Sequence, residues 1–114
     1  DFGQNNAKSD TPGKPAAQAS FRANAPHEDL RLPQAGSIER AFTRGRVRFI
    51  VTDGRSHKSP DTGGSASTAL GADQREWVKR ELLAARAMPW TVLTSGVPWI
   101  SRFGSDTWAG YAAE

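Results

Sequence analysis

Apolar residues are sparse in the first third of the chain and become periodic after it. Between residues 1 and 33 the large apolar side chains are Phe2, Phe21, Leu30 and Leu32. The stretch "DTPGKPAAQAS" is rich in residues that break regular structure. We therefore predict an extended loop here, with one helical turn around Ala16 to Asn24.

The pattern changes after Ile38. Ile38 and Phe42 lead into a tight turn at Arg44-Gly45-Arg46, and "VRFIVT", residues 47–52, predicts a strand. Alternation places Val47, Phe49 and Val51 on one face of this strand, and it places Arg48, Ile50 and Thr52 on the other.

A long loop, a helix and a second strand follow. "GRSHKSPDTGGSASTALG" contains Pro60 and paired glycines, which predicts a loop. "ADQREWVKRELLAARA" predicts a helix whose apolar side carries Trp77, Val78, Leu82 and Leu83. Thr91 to Ser95 predicts the second strand. The order strand, helix, strand defines a βαβ unit with parallel strands, which needs neighbours to complete its sheet.

Polar clusters follow both strands, at the edge where open α/β sheets bind ligands. "TDGRSHK" follows the first strand and "TSGVPW" the second, so Asp53, Arg55, His57 and Ser95 are expected in one neighbourhood. Structural interpretations stay open. Asp53 and Gly54 form a common turn pair, Arg55 can bridge to a carboxylate, and His57 can be a solvent-exposed loop residue.

The tryptophans divide into core and loop positions. Trp77 is expected in the helix core, whereas Trp99 and Trp108 lie in glycine-rich loops, where they can fill the core or contact a ligand. The spacing of the glycines does not form a phosphate-binding loop, and Ser95 lacks the motif of a nucleophilic serine.

The composition of the chain argues against several classes of protein. The chain has 114 residues, 37% of them apolar, a net charge of +3 with its basic residues scattered, and no cysteine. A polybasic nucleic-acid tail, a disulfide framework and a membrane-spanning segment are therefore not predicted.

Six segments in this order resemble the PhoD-like (alkaline phosphatase D) metallophosphatase family. They cover nearly the whole chain and read "DFGQNN", "FRANAPHEDL", "RVRFIVTDGRSHKSP", "LGADQREWVKREL", "SGVPW" and "DTWAGYAAE". The chain departs from the family pattern at Gly54, where threonine is usual, and at Lys58, where arginine is usual.

The resemblance implies an α/β fold that is part of a calcineurin-like metallophosphatase sandwich, built from a βαβ unit and long loops. Residues 1–114 would be an internal fragment, with a loop-rich segment at 1–37 and the βαβ unit with its rim loops at 38–114. The implied activity is hydrolysis of phosphate mono- or diesters at a dinuclear metal centre, with Ca and Fe as the family's metals. Most metal ligands would lie outside the fragment, which alone would be inactive.

The resemblance also suggests which residues take part. Asp1 would end a metal-binding Asp-Asp-His segment, and Asn5, with Asn6 in reserve, could bind metal through an amide oxygen. Arg55 is the candidate catalytic residue. The candidates for binding substrate or supporting the ligands are Asp53, His57, Trp99, Trp108 and Tyr111.

The expected partner is a phosphate-ester substrate, with no stable nucleic-acid partner and no membrane partner. The family resemblance implies a secreted or periplasmic protein. The alternative is a noncatalytic fragment that binds phosphate or nucleic acid through Arg44, Arg46, Arg48 and Arg55.

Overall fold

The computed structural model describes residues 2–61, 64–100 and 107–114. Asp1 lies outside the described residues, as does the start of the "DTWAGYAAE" segment. The regular elements are α1 (Lys14–Asn24), β1 (Arg40–Arg44), β2 (Val47–Val51), α2 (Ala72–Ala84), β3 (Trp90–Thr94) and two 3₁₀-helices, Ala85–Ala87 and Trp108–Tyr111. They make a small α/β unit with a mixed three-stranded sheet.

The sheet has the order β1-β2-β3. β2 and β3 run parallel and are joined through α2, which confirms the βαβ unit. β1 pairs antiparallel with β2, so residues 40–44, expected only as a lead-in, form a third strand. Gly45 turns this hairpin with a φ of 57°, a left-handed conformation that glycine adopts without strain.

Helix α1 is longer than the single turn predicted, since it spans 11 residues. Pro15 explains the difference, because it occupies the first turn of the helix. Proline is accepted there, where its missing N–H would have no helical partner and its fixed φ already suits a helix. The breaker-rich composition therefore marked the start of a helix.

The core lies between the sheet and α2. It consists of Ile50, Leu70, Trp77 and Val78, with Leu93 packed at its edge. Ile50 is fully buried beneath the helix, in agreement with the face predicted for it.

Two leucines predicted to belong to this core are not buried. Leu82 is 42% exposed and Leu83 is 66% exposed. The inward row of α2 runs through Gln74, Trp77 and Val78. Leu83 comes five residues after Val78, so at about 100° per residue it is turned away from this row. Leu82, four residues after Val78, lies at the border of the row near the end of the helix.

The opposite face of the sheet carries apolar side chains that are half-exposed or exposed, with Arg40 and Arg44 on the same face at the two ends of β1. Phe42 and Phe49 face each other across β1 and β2, with ring centroids 5.1 Å apart. Trp90 and Val92 of β3 continue this face and are 70% and 41% exposed. We call the face formed by Phe42, Phe49, Trp90 and Val92 the open sheet face, because Trp90 and Val92 are exposed.

Candidate functional site

The carboxyl ends of β2 and β3 bring two loops into contact. Both the backbone N–H and the hydroxyl of Thr52 donate to the Thr94 carbonyl oxygen, each at 3.0 Å. Just beyond, a Cβ on Gly54 would lie 3.6 Å from Val97. The loops after the two strands therefore share one rim, as parallel strands require.

Asp53 organises the first of these loops. Its carboxylate accepts hydrogen bonds from the backbone N–H groups of Ile38 (3.0 Å), Arg55 (3.0 Å) and Ser56 (2.9 Å). The Ser56 hydroxyl donates to the same carboxylate. Asp53 is 5% exposed, so its carboxylate fixes the turn and ties it to the segment before β1. This geometry matches the turn-forming interpretation of Asp53.

Two glutamines extend this arrangement into a buried polar network, formed by Gln18, Asp53, Ser56 and Gln74. The Asp53 N–H donates to Gln74 Oε1 at 2.7 Å, and Gln74 Nε2 donates back to the Asp53 carbonyl at 3.0 Å. Gln18 Nε2 of α1 donates to Ser56 Oγ at 2.7 Å. The network joins α1, the end of β2 and the start of α2, which sets the position of the rim.

Arg55 sits inside the turn that this network holds. Its N–H donates to Asp53, and its carbonyl accepts the Lys58 N–H at 3.2 Å. The Arg55 residue is half-buried. The backbone of the candidate catalytic residue is thus fixed on both sides.

His57 packs into the fold more closely than expected for an exposed loop residue. Its Nε2 lies 3.0 Å from the hydroxyl of Ser37, which is 1% exposed. A Cβ at Gly71 would come within 2.9 Å of the His57 Cβ, so the glycine leaves room for this side chain. The contacts found for His57 join the rim loop to the segment before β1 and to the start of α2.

Asn5 and Asn6 lie in an exposed turn near the amino end, with Asn6 at a φ of 57°. The turn is linked to the rim, because the Ser9 N–H donates to the Lys58 carbonyl at 2.9 Å. Across residues 2–61, 64–100 and 107–114, histidine, aspartate and glutamate side chains form no group of three that could hold a metal ion. The described residues therefore do not fit a complete dinuclear centre, and the two amides are at most single ligands.

The aromatic candidates gather at the other side of the rim. Trp99 and Trp108 stack with their ring centroids 4.1 Å apart. Tyr111 is 1% exposed, and its hydroxyl donates to the Ser59 carbonyl at 3.4 Å. The Lys58 ammonium lies 5.7 Å from the centroid of the Tyr111 ring. Trp99 is the most exposed of the three aromatics, at 40%.

Two carboxylates that organise the fold, one half-buried and one fully buried, were missed by the sequence analysis. Glu114 accepts the N–H groups of Ala69 (2.9 Å) and Leu70 (3.1 Å), just before α2 begins. Glu39 is fully buried and pairs with Arg31 at 2.9 Å. The quoted segments "DTWAGYAAE" and "LGADQREWVKREL" already contained Glu114 and Gln74, whereas nothing in the local pattern marked Glu39.

The chain is a small α/β unit that places the loops after its two parallel strands on one rim. A sequence profile of PhoD-like phosphatases matches residues 3–114, and the chain belongs to this family. The solved structure of PhoD has the same fold, with a TM-score of 0.71, 21% identity and 96% of this chain covered. The chain spans 28% of the length of that structure. No curated protein sequence matches the chain.

Proposed function

We propose that the chain forms one part of the catalytic domain of a metal-dependent phosphatase or phosphodiesterase that hydrolyses phosphate esters. The proposal rests on the family membership together with the rim at the ends of β2 and β3. The observation that carries it is the buried polar network, which immobilises the turn bearing Arg55 next to the loop that contains Val97. The planar guanidinium of arginine can donate two parallel hydrogen bonds to two oxygens of one phosphate group, which supports this role for Arg55.

The open sheet face supports placement in a larger domain. An apolar sheet face that carries Trp90 at 70% exposure is unusual for a protein surface and is normally covered by a second layer. We propose that a second sheet of the same domain packs there, which would complete a calcineurin-like sandwich.

Each candidate residue has a proposed contribution. Arg55 contacts the phosphate or supports the carboxylates that bind metal, and Asp53 holds its turn. Asn5, with Asn6 in reserve, supplies one amide oxygen. Metal ions of the dinuclear centre, Ca and Fe by family resemblance, would polarise the phosphoryl oxygen and supply hydroxide. Most of their ligands would come from residues beyond this chain.

Assays of hydrolysis test the proposal at two levels. We expect a complete PhoD-like protein carrying this chain to hydrolyse p-nitrophenyl phosphate or its bis ester, and to lose that activity in a chelator. The 114-residue chain alone should not turn over either ester, because a two-metal reaction needs all its ligands together. Metal-dependent turnover by the isolated chain, or chelator-resistant turnover by the complete protein, would contradict the proposal.

The alternative of a phosphate- or nucleic-acid-binding fragment is less well supported. Arg48 faces α2 and pairs with Glu81 at 2.5 Å, and Arg44 pairs with Glu28. Arg46 lies at the hairpin end of β2, whereas Arg55 follows its other end. The four arginines therefore do not share one surface. Affinity for DNA that survives chelator and falls steeply with salt would favour this alternative.

A further inference from the structure

Gln74 places a polar side chain in the inward row of α2. The buried residues of this helix are Gln74, Trp77 and Val78, and Gln74 is fully buried. Burial of an amide costs free energy unless its polar atoms find partners, and an apolar side chain would avoid that cost. Packing against the sheet does not require a glutamine here, so the reason for it lies in the contacts that its amide makes.

The Gln74 amide makes the contacts that a neighbouring strand would make. The registers of β1 and β3 against β2 both end at Val51, so Asp53 lies beyond the paired residues. Asp53 is 5% exposed, and buried backbone N–H and C=O groups need partners. Gln74 Oε1 accepts the Asp53 N–H at 2.7 Å, and Gln74 Nε2 donates to the Asp53 carbonyl at 3.0 Å. The side chain thus pairs with both backbone groups of Asp53 beyond the end of the sheet.

These contacts connect α2 to the backbone of Arg55 in two steps. Gln74 holds the Asp53 backbone, and the Asp53 carboxylate accepts the Arg55 N–H at 3.0 Å. Gln74 Nε2 also donates to the Leu70 carbonyl at 3.1 Å, which restrains the amide on the side of α2. Sites supported by a helix are more precise than sites supported by a loop. The position of the Arg55 backbone, from which its side chain extends, therefore depends on Gln74.

We propose that Gln74 is a positioning residue for Arg55, through the pairing of its amide with the Asp53 backbone. The inference rests on the proposed function, because it takes Arg55 to act on the phosphate ester. Gln74 acts through Arg55 and is assigned no contact with the substrate. Each partner named for Gln74 is a backbone group of this chain, so these contacts do not depend on residues that surround the chain in a longer protein.

A purely structural role of Gln74 would have a different kinetic consequence. Replacing Gln74 would then lower the stability, and any effect on kcat/KM would be the same whichever residue stands at position 55. A positioning role makes the two changes non-additive. A displaced turn costs little once position 55 can no longer make the two-point contact of a guanidinium. A double-mutant cycle on kcat/KM therefore separates the two roles.

The cycle combines Gln74→Met with Arg55→Lys in the complete protein, with p-nitrophenyl phosphate or its bis ester as substrate. Methionine has a similar length, and it removes the amide contacts with Asp53 without burying a charge. We expect Gln74→Met to lower kcat/KM at least about tenfold, but less than about threefold in the Arg55→Lys background. Circular dichroism and urea unfolding show which variants are folded. Gln74→Glu, which keeps an acceptor for the Asp53 N–H, supplies the cycle if Gln74→Met does not fold.

Two matched controls separate positioning from packing. Gln34→Met changes an exposed glutamine and should leave kcat/KM unchanged in both backgrounds. Val78→Ala shortens a buried neighbour of Gln74, one turn along the same row. This change should lower the unfolding midpoint, while kcat/KM changes less than about threefold.

The outcomes distinguish this inference from the proposed function. If Arg55→Lys alone leaves kcat/KM unchanged, the role proposed for Arg55 fails, and the positioning role fails with it. If Arg55→Lys lowers kcat/KM but the Gln74 variant lowers it by the same factor in both backgrounds, only the positioning role is overturned. Full activity of Gln74→Met, or failure of both Gln74 variants to fold, would likewise make Gln74 a structural residue and overturn the inference.

Discussion

Replacing Asp53 should unfold the rim while removing no apolar contact of the core. The side chain is 5% exposed, and its carboxylate accepts three backbone N–H groups and one hydroxyl. Hydrogen bonds to a charged group contribute about 1.5–3 kcal/mol each, and their sum is limited because the freed donors partly regain water. We expect Asp53→Ala to lower the free energy of unfolding by about 3–5 kcal/mol.

Asp53→Asn, a change that keeps the shape of the side chain, tests the contribution of its charge separately. Asp53→Asn keeps one acceptor oxygen for the turn but places an amide NH₂ where the Ile38 N–H now donates. We expect a loss of about 1–3 kcal/mol, from urea unfolding followed by circular dichroism. Asp10→Asn, at an exposed position, is the matched control and should change the midpoint little. If both Asp53 variants unfold like the control, the network does not hold the rim and the argument fails.

Two further variants test the packing and the electrostatics of α2. Trp77→Ala should lower the free energy of unfolding by about 3–5 kcal/mol, because Trp77 is 8% exposed within the core. Leu83→Ala should lower it far less. Equal losses in urea unfolding would contradict the assigned helix face. The hydrogen bond and charge of Lys79 lower the pKa of Glu76, so its stabilising contribution is present at neutral pH and is lost as the pH falls through that lowered pKa. The difference in stability between the unchanged protein and Glu76→Gln should accordingly vanish in acid, and a difference that grows in acid would refute the sign.

The sequence predicted the elements that strong apolar periodicity defines. β2 and β3 were placed within one residue, because β-branched runs leave little freedom. The helix begins at Ala72 as predicted, but α2 ends at Ala84 and the last three residues of the predicted helix form a 3₁₀-helix. β1 was missed because "RAFTR" has few apolar residues, and it is a strand through its pairing with β2. Tertiary pairing of this kind overrides local propensity.

The location of the candidate site could be predicted from the sequence, but the hydrogen bonds and ion pairs that hold it could not. Parallel strands oblige their carboxyl ends to meet, which placed Asp53 and the loop after β3 on one rim. The role of Gln18 could not be predicted, since its partner Ser56 is 38 residues away and comes within reach only through the packing of α1. The role of Glu39 could not be predicted either, because its partner Arg31 lies in an irregular segment. Contacts that depend on the path of a loop are not signalled by any periodic pattern in the sequence.

The role of Arg55 is tested most directly by the kinetics of phosphate-ester hydrolysis in the complete protein. Lysine keeps the charge but cannot reproduce the planar two-point contact of a guanidinium, so Arg55→Lys should lower kcat/KM at least about tenfold with an unchanged unfolding midpoint. Arg46→Lys, an exposed arginine at the other end of β2, is the matched control and should retain full activity. Near-normal kinetics of Arg55→Lys with lowered stability would contradict the account and would make Arg55 a structural bridge of the rim.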